Sequence, residues 1–122
     1  SSFPSSKCFF LMKKNNLVYL HLILESIIKI KDFISGTDFS IFSTDNKTQS
    51  AVIMQLQVIG ELSKKVSEEI KKEINIPWKQ ISGLRDMVAH DYFSLDIAAI
   101  WKTANESILE AEKEIQKYLK IK

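Results

Sequence analysis

The chemically capable residues of this 122-residue chain gather in one short stretch, Leu84-Arg85-Asp86-Met87-Val88-Ala89-His90-Asp91-Tyr92-Phe93. It holds the sole arginine among 17 basic residues and one of two histidines. A guanidinium presents paired N–H donors and a fixed positive charge to a phosphate, and an imidazole takes or gives a proton near neutral pH. RNA cleavage without a metal needs those abilities. It requires an acceptor for the 2′-hydroxyl proton, a donor for the leaving 5′-oxygen, and positive charge where the phosphorane builds up. Asp86 precedes His90 by one helical turn, near enough to accept a hydrogen bond from the ring and fix its tautomer.

Five positions separate Arg85 from His90, about 140° around a helix and about 7.5 Å along it, so a rigid helix would not put them on one face. With His90 at the fraying end, a long arginine and an imidazole could still converge on one phosphate. Taken singly, each residue has a plainer reading. His90 would be a structural histidine at a helix end, Arg85 half of a surface ion pair, and Tyr92 a ring packed beside Phe93. His21, inside an apolar segment, reads as a buried or interface histidine. Trp78 and Trp101 read as core or dimer anchors rather than base-stacking platforms. Glu61 has either a buried hydrogen-bonding role near the motif or an ion-pairing one, so it stays outside the expected site.

The elements that must position these groups are helical. Asn15 and Asn16 can cap a first helix over about 16–35, with Leu17, Leu20, Leu24, Ile27, Ile28 and Ile34 at helical spacing and Gly36 as the stop. Tyr19, Ile23, Ile30 and Phe33 widen its apolar stripe, which suggests cover on two sides or by a second subunit. Residues 36–45 read as a polar connection anchored by Phe39 and Phe42. Thr44 and Asp45 can cap a second helix reaching about Glu73, with Ala51, Val52, Val58, Ile59, Leu62, Val66 and Ile70 on its stripe. Its five lysines and four glutamates between Glu61 and Lys79 read as a solvated face rather than a dedicated RNA groove. Pro77 can open a short third helix over about 77–90 through Trp78, Ile81, Leu84 and Val88. Asp96 can cap a last helix carrying Ile97, Ile100, Trp101, Ala104, Ile108, Ala111, Ile115 and Leu119. Together they predict an all-α, antiparallel four-helix bundle whose short helix carries the motif.

Composition removes competing classes. One cysteine, Cys8, permits no intrachain disulfide, and two histidines are too few for a three-histidine metal site. Neither glycine-rich phosphate-binding signature occurs. A net charge of +2 does not by itself announce a nucleic-acid binder. No apolar run reaches the roughly 18 residues that span a bilayer, and residues 1–11 lack the features of a secretory signal. A soluble, cytoplasmic protein without a membrane partner or cofactor is expected. Met12-Lys13-Lys14 reads like a natural start, so residues 1–11 are expected to be an added or disordered leader to a single domain over 12–122.

The motif Arg85, His90 and Tyr92 matches R-x4-H-x-Y, and with it the chain resembles the HepT-like branch of the HEPN domains. Ala51-Val52-Ile53, Val58-Ile59-Gly60-Glu61, the run from Ile76 to Ile81, Gly83-Leu84-Arg85 and Trp101 also resemble family positions in family order, over about 16–119. Asp86 stands where many relatives have asparagine, and Leu62 where alanine is usual. The resemblance implies a homodimer with two R-x4-H motifs facing a shared cleft. It implies a metal-independent endoribonuclease toxin that leaves 2′,3′-cyclic phosphate and 5′-hydroxyl ends, with Arg85 and His90 catalytic and Asp86 accessory. It also implies a nucleotidyltransferase antitoxin that transfers AMP from ATP to Tyr92. Two other readings stay open: a non-catalytic subunit that helps a nucleotidyltransferase hold nucleotide or substrate, and a plain helical dimerisation module.

Overall fold

Leu20, Ile23, Ile27 and Ile30 recur at intervals of three and four and are all buried, which defines the inward face of the first helix, α1 (Ser5–Ile34). The computed structural model describes residues 5–121, with backbone alone for 5–14, 91, 92 and 121. Of the expected leader, residues 1–4 lie outside the described residues, and the backbone is helical from Ser5 onward.

Two expectations for α1 change. Ile28, placed on the stripe, is exposed, while Ile23 and Ile30 lie in the core. The helix is apolar on several sides, so spacing alone could not choose the buried one. Asn16 does not cap α1 but lies within it, buried, and its Oδ1 accepts a hydrogen bond of 2.8 Å from the Ser67 N–H. Gly36, at φ 74°, follows the helix end as expected.

Residues 36–45 hold a short helix, α2 (Phe39–Phe42), because Asp38 accepts from the Ile41 N–H at 2.9 Å. Phe42 is fully buried and its ring meets Trp101 at 4.9 Å between centroids. Asp45 caps α3 (Asn46–Lys65) by accepting from the Thr48 N–H and hydroxyl. The hydroxyl bond leads the causes that hold the Asp45 carboxyl below its ordinary range.

The expected second helix ends early. Val66 and Ser67 are extended, and α4 (Glu68–Glu73) starts again beyond them. Ser67 followed by Glu68 and Glu69 is a helix-start signal that the charge-rich pattern conceals. The bond from Ser67 to Asn16 holds this corner against α1. The break also lets Val66, Ile70 and Ile74 all reach the core.

After Pro77 comes α5 (Trp78–Asp91), which buries Ile81, Leu84 and Val88. Trp78 acts as an anchor: its Nε1 donates to the carbonyls of Lys71 and Ile74, both at 3.0 Å, and so ties down the end of α4. A 3-10 turn over Tyr92–Ser94 leads to Asp96, which caps α6 (Ile97–Lys102). A π-turn over Thr103–Ser107 joins α6 to α7 (Ile108–Ile121). The wide turn has a packing reason. Ile100, Ala104 and Ile108 are all buried, yet eight residues of regular helix overshoot two turns by about 80°. The longer turn absorbs the surplus.

In the resulting bundle α1 packs against α3 and α7, and α3 packs against α5. All described elements are helical, as the sequence predicts. The tightest approach is at Gly60. A Cβ there would fall 2.6 Å from the Arg85 amide nitrogen, 3.1 Å from the Arg85 Cβ and 3.2 Å from the Ile81 carbonyl oxygen. Two backbones meet at this point, so no side-chain rotation relieves an added methyl.

Gly60→Ala should therefore destabilise the fold although alanine is the better helix former. Overpacking of about 1–3 kcal/mol exceeds a propensity gain of about 1 kcal/mol or less. Urea unfolding should show a lower midpoint; an unchanged or higher one would contradict the close approach.

Candidate active site

Arg85 leaves α5 on the flank that meets α3, and the chain just past Gly60 receives it. The Arg85 Nε forms an ion pair with Glu61 Oε2 at 3.2 Å, and Nη1 donates to Asp86 Oδ1 at 3.5 Å. The Arg85 side chain is nevertheless 44% exposed, which leaves its remaining donors open to an anion. Each contact is a half-exposed ion pair and contributes little stability alone. Their effect is to orient the group. Glu61, left outside the site by sequence reasoning, thus contacts Arg85 directly, and its signal is its place directly after the packing glycine.

Asp86 serves the arginine side of the site. The expected bond to the His90 ring is replaced: its Oδ1 accepts from Lys64 Nζ at 2.8 Å and faces Arg85. The hydrogen bond from Lys64 is the main cause holding the Asp86 carboxyl below its usual range; desolvation opposes it, and the charge of Lys64 and the Arg85 contact add to the lowering. Lys64, 22 residues away on α3, was beyond any local spacing argument.

His90 is exposed in the last turn of α5, and the helix remains regular through it. The two principal groups therefore share one end of one helix but diverge by about 140° around its axis. The backbone of Tyr92 opens the next turn, and its side chain lies outside the described residues. Phe93, one residue further, is fully exposed. The arrangement combines an oriented, half-exposed guanidinium with an imidazole open to solvent. Together they can bind a phosphate and move a proton beside it.

His21 is not buried within the chain: it is exposed on the outward side of α1. No described helix is long and apolar enough to cross a membrane.

The chain is similar over 110 residues, at 37% identity, to a protein of Thermococcus cleftensis described as a probable ribonuclease HepT, covering 89% of this chain and 100% of that one. It is similar over 109 residues, at 38% identity, to a Methanocaldococcus jannaschii protein that carries an RNase assignment, covering 88% of this chain and 90% of that one. No solved structure matches the chain significantly. The family described as ribonuclease HepT-like matches residues 23–118, a span that contains Gly60, Glu61 and the whole motif. On that match, and on relatives aligned along nearly their full length, the chain belongs to the HepT-like ribonuclease family.

Proposed function

We propose that this chain is a cytoplasmic, metal-independent endoribonuclease toxin that acts as a homodimer and is silenced by AMP transfer to Tyr92. The observation that carries the reading is the seating of Arg85 by Glu61 and Asp86, with donors to spare, at the helix end that bears the exposed His90. In the reaction His90 accepts the 2′-hydroxyl proton while O2′ attacks phosphorus. The 5′-oxygen leaves with a proton from an acid, and Arg85 stabilises the charge of the phosphorane. The products are a 2′,3′-cyclic phosphate and a 5′-hydroxyl end.

Two features support a two-copy site. Within one chain Arg85 and His90 diverge, so a second motif across a cleft would supply the acid and close the site around the phosphate. The outward flank of α1 exposes Val18, Leu22 and Phe33 within about 60° of arc, an apolar strip that a second copy would cover.

Regulation follows from the position of Tyr92. A tyrosine in the turn after α5 can enter a nucleotidyltransferase antitoxin, where its oxygen attacks the α-phosphorus of ATP and pyrophosphate leaves. The adduct places a phosphodiester charge two residues from His90, where it competes with RNA for Arg85.

Arg85→Ala and His90→Ala should each abolish cleavage of total RNA by pure protein in EDTA, with helical circular dichroism unchanged. Full cleavage by His90→Ala would remove the proposed mechanism. Tyr92→Phe should cleave RNA yet gain no AMP mass when incubated with ATP and the cognate nucleotidyltransferase, whereas wild type gains it. Equal modification of both proteins would refute the control at Tyr92.

A further inference from the structure

An open groove of about 710 Å³ lies where the end of α3, α4 and the first half of α5 meet. Three of its lining residues are Lys64, Lys71 and Lys79, against two carboxylates, Glu68 and Asp86. The lysines that read as a solvated face therefore converge, and the groove keeps a positive balance. Lys64 is paired with Asp86 at 2.8 Å, but Lys71 reaches Glu68 only at 3.7 Å, on a carboxylate that is 83% exposed. Lys79 has no acidic partner among the described residues. Lys71 itself is only 14% exposed, its ammonium held 5.8 Å from the Trp78 ring centroid, so it is the exposed acids, Glu68 and Asp86, that a polyanion displaces.

The groove also contains a glycine that the fold does not need. A Cβ on Gly83 would meet nothing within 4 Å, in contrast to Gly60. Glycine inside a helix is unfavourable relative to alanine, and here no packing contact accounts for it. What it does provide is bare backbone on the groove wall, where a ligand can come close.

The groove is continuous with the motif. Lys79, Gly83, Asp86 and His90 fall within about 60° of arc along about 16 Å of α5, so the groove opens on the side of the helix that carries the imidazole. We propose that this groove is the track that holds the phosphate backbone of single-stranded RNA on one side of the scissile bond. Lys71 and Lys79 contact phosphates, and Gly83 lets the strand lie against the helix. The contacts are to phosphate, so they set affinity without reading sequence. This inference rests on the ribonuclease reading and adds to it the path of the substrate.

The test uses full-length protein carrying His90→Ala, so that a fluorescent single-stranded RNA oligonucleotide is bound without being cut. Anisotropy titrations across a range of salt should show that Lys71→Gln with Lys79→Gln lowers the slope of log affinity against log salt by about 1.4, about 0.7 for each lost phosphate contact. Lys113→Gln, on α7, should leave the slope unchanged. Gly83→Gln should weaken binding while the urea midpoint stays level or rises, which separates a blocked track from a damaged fold. In otherwise wild-type protein, the same substitutions should raise the KM for RNA. Unaltered slope and KM in an enzyme that cleaves normally would overturn the track and leave the ribonuclease reading standing. Loss of ATP binding in the lysine variants, with RNA binding intact, would make the groove a nucleotide pocket instead. A wild-type protein that neither binds nor cleaves RNA would overturn both.

Discussion

Where α3 crosses α5, the absence of a side chain at Gly60 lets one backbone lie against another, so closely that a Cβ would fall only 2.6 Å from the amide nitrogen of Arg85. The arrangement of the candidate site depends on this contact. It fixes the distance between the helices at the residue that carries the sole arginine, and it brings the next residue, Glu61, to the Arg85 Nε at 3.2 Å. One turn further along α3, Lys64 reaches Asp86 and completes the row of charges Glu61, Arg85, Asp86 and Lys64. A wider crossing would leave the guanidinium to find its own orientation, at the entropic cost of a long side chain.

The same crossing gives α5 two roles. Its inner side is held by burial of Ile81, Leu84 and Val88, and its start is held by the indole of Trp78 against the end of α4. Those attachments leave the other side, from Lys79 to His90, open to solvent. The helix is anchored by one side and presents the other to solvent. Arg85 stands at the boundary between the two, half-exposed and braced by acids on either hand.

Much of this was legible in the sequence, and the losses have physical reasons. Helical spacing identified three long segments and the short helix with the motif, because amphipathic periodicity is a local property. The cap at Asp45 and the cap at Asp96 were legible for the same reason. What spacing could not show depended on distant partners. Asn16 looks like a cap until Ser67 arrives to use its carbonyl, and Asp86 looks like a partner for His90 until Lys64 takes it. The π-turn at Thr103–Ser107 conserves the burial of Ala104 and Ile108 and leaves no mark in composition. Gly60 carries no chemistry of its own, so only the structure shows that the position of Arg85 rests on it.

The central claim is that these side chains suffice to cleave RNA through its own 2′-hydroxyl. Chemical analysis of the new RNA ends after incubation with pure protein in EDTA tests it most directly. The new ends should be 2′,3′-cyclic phosphate and 5′-hydroxyl, formed at an undiminished rate. Ends bearing 5′-phosphate and 3′-hydroxyl, or cleavage only when a divalent metal is restored, would contradict it.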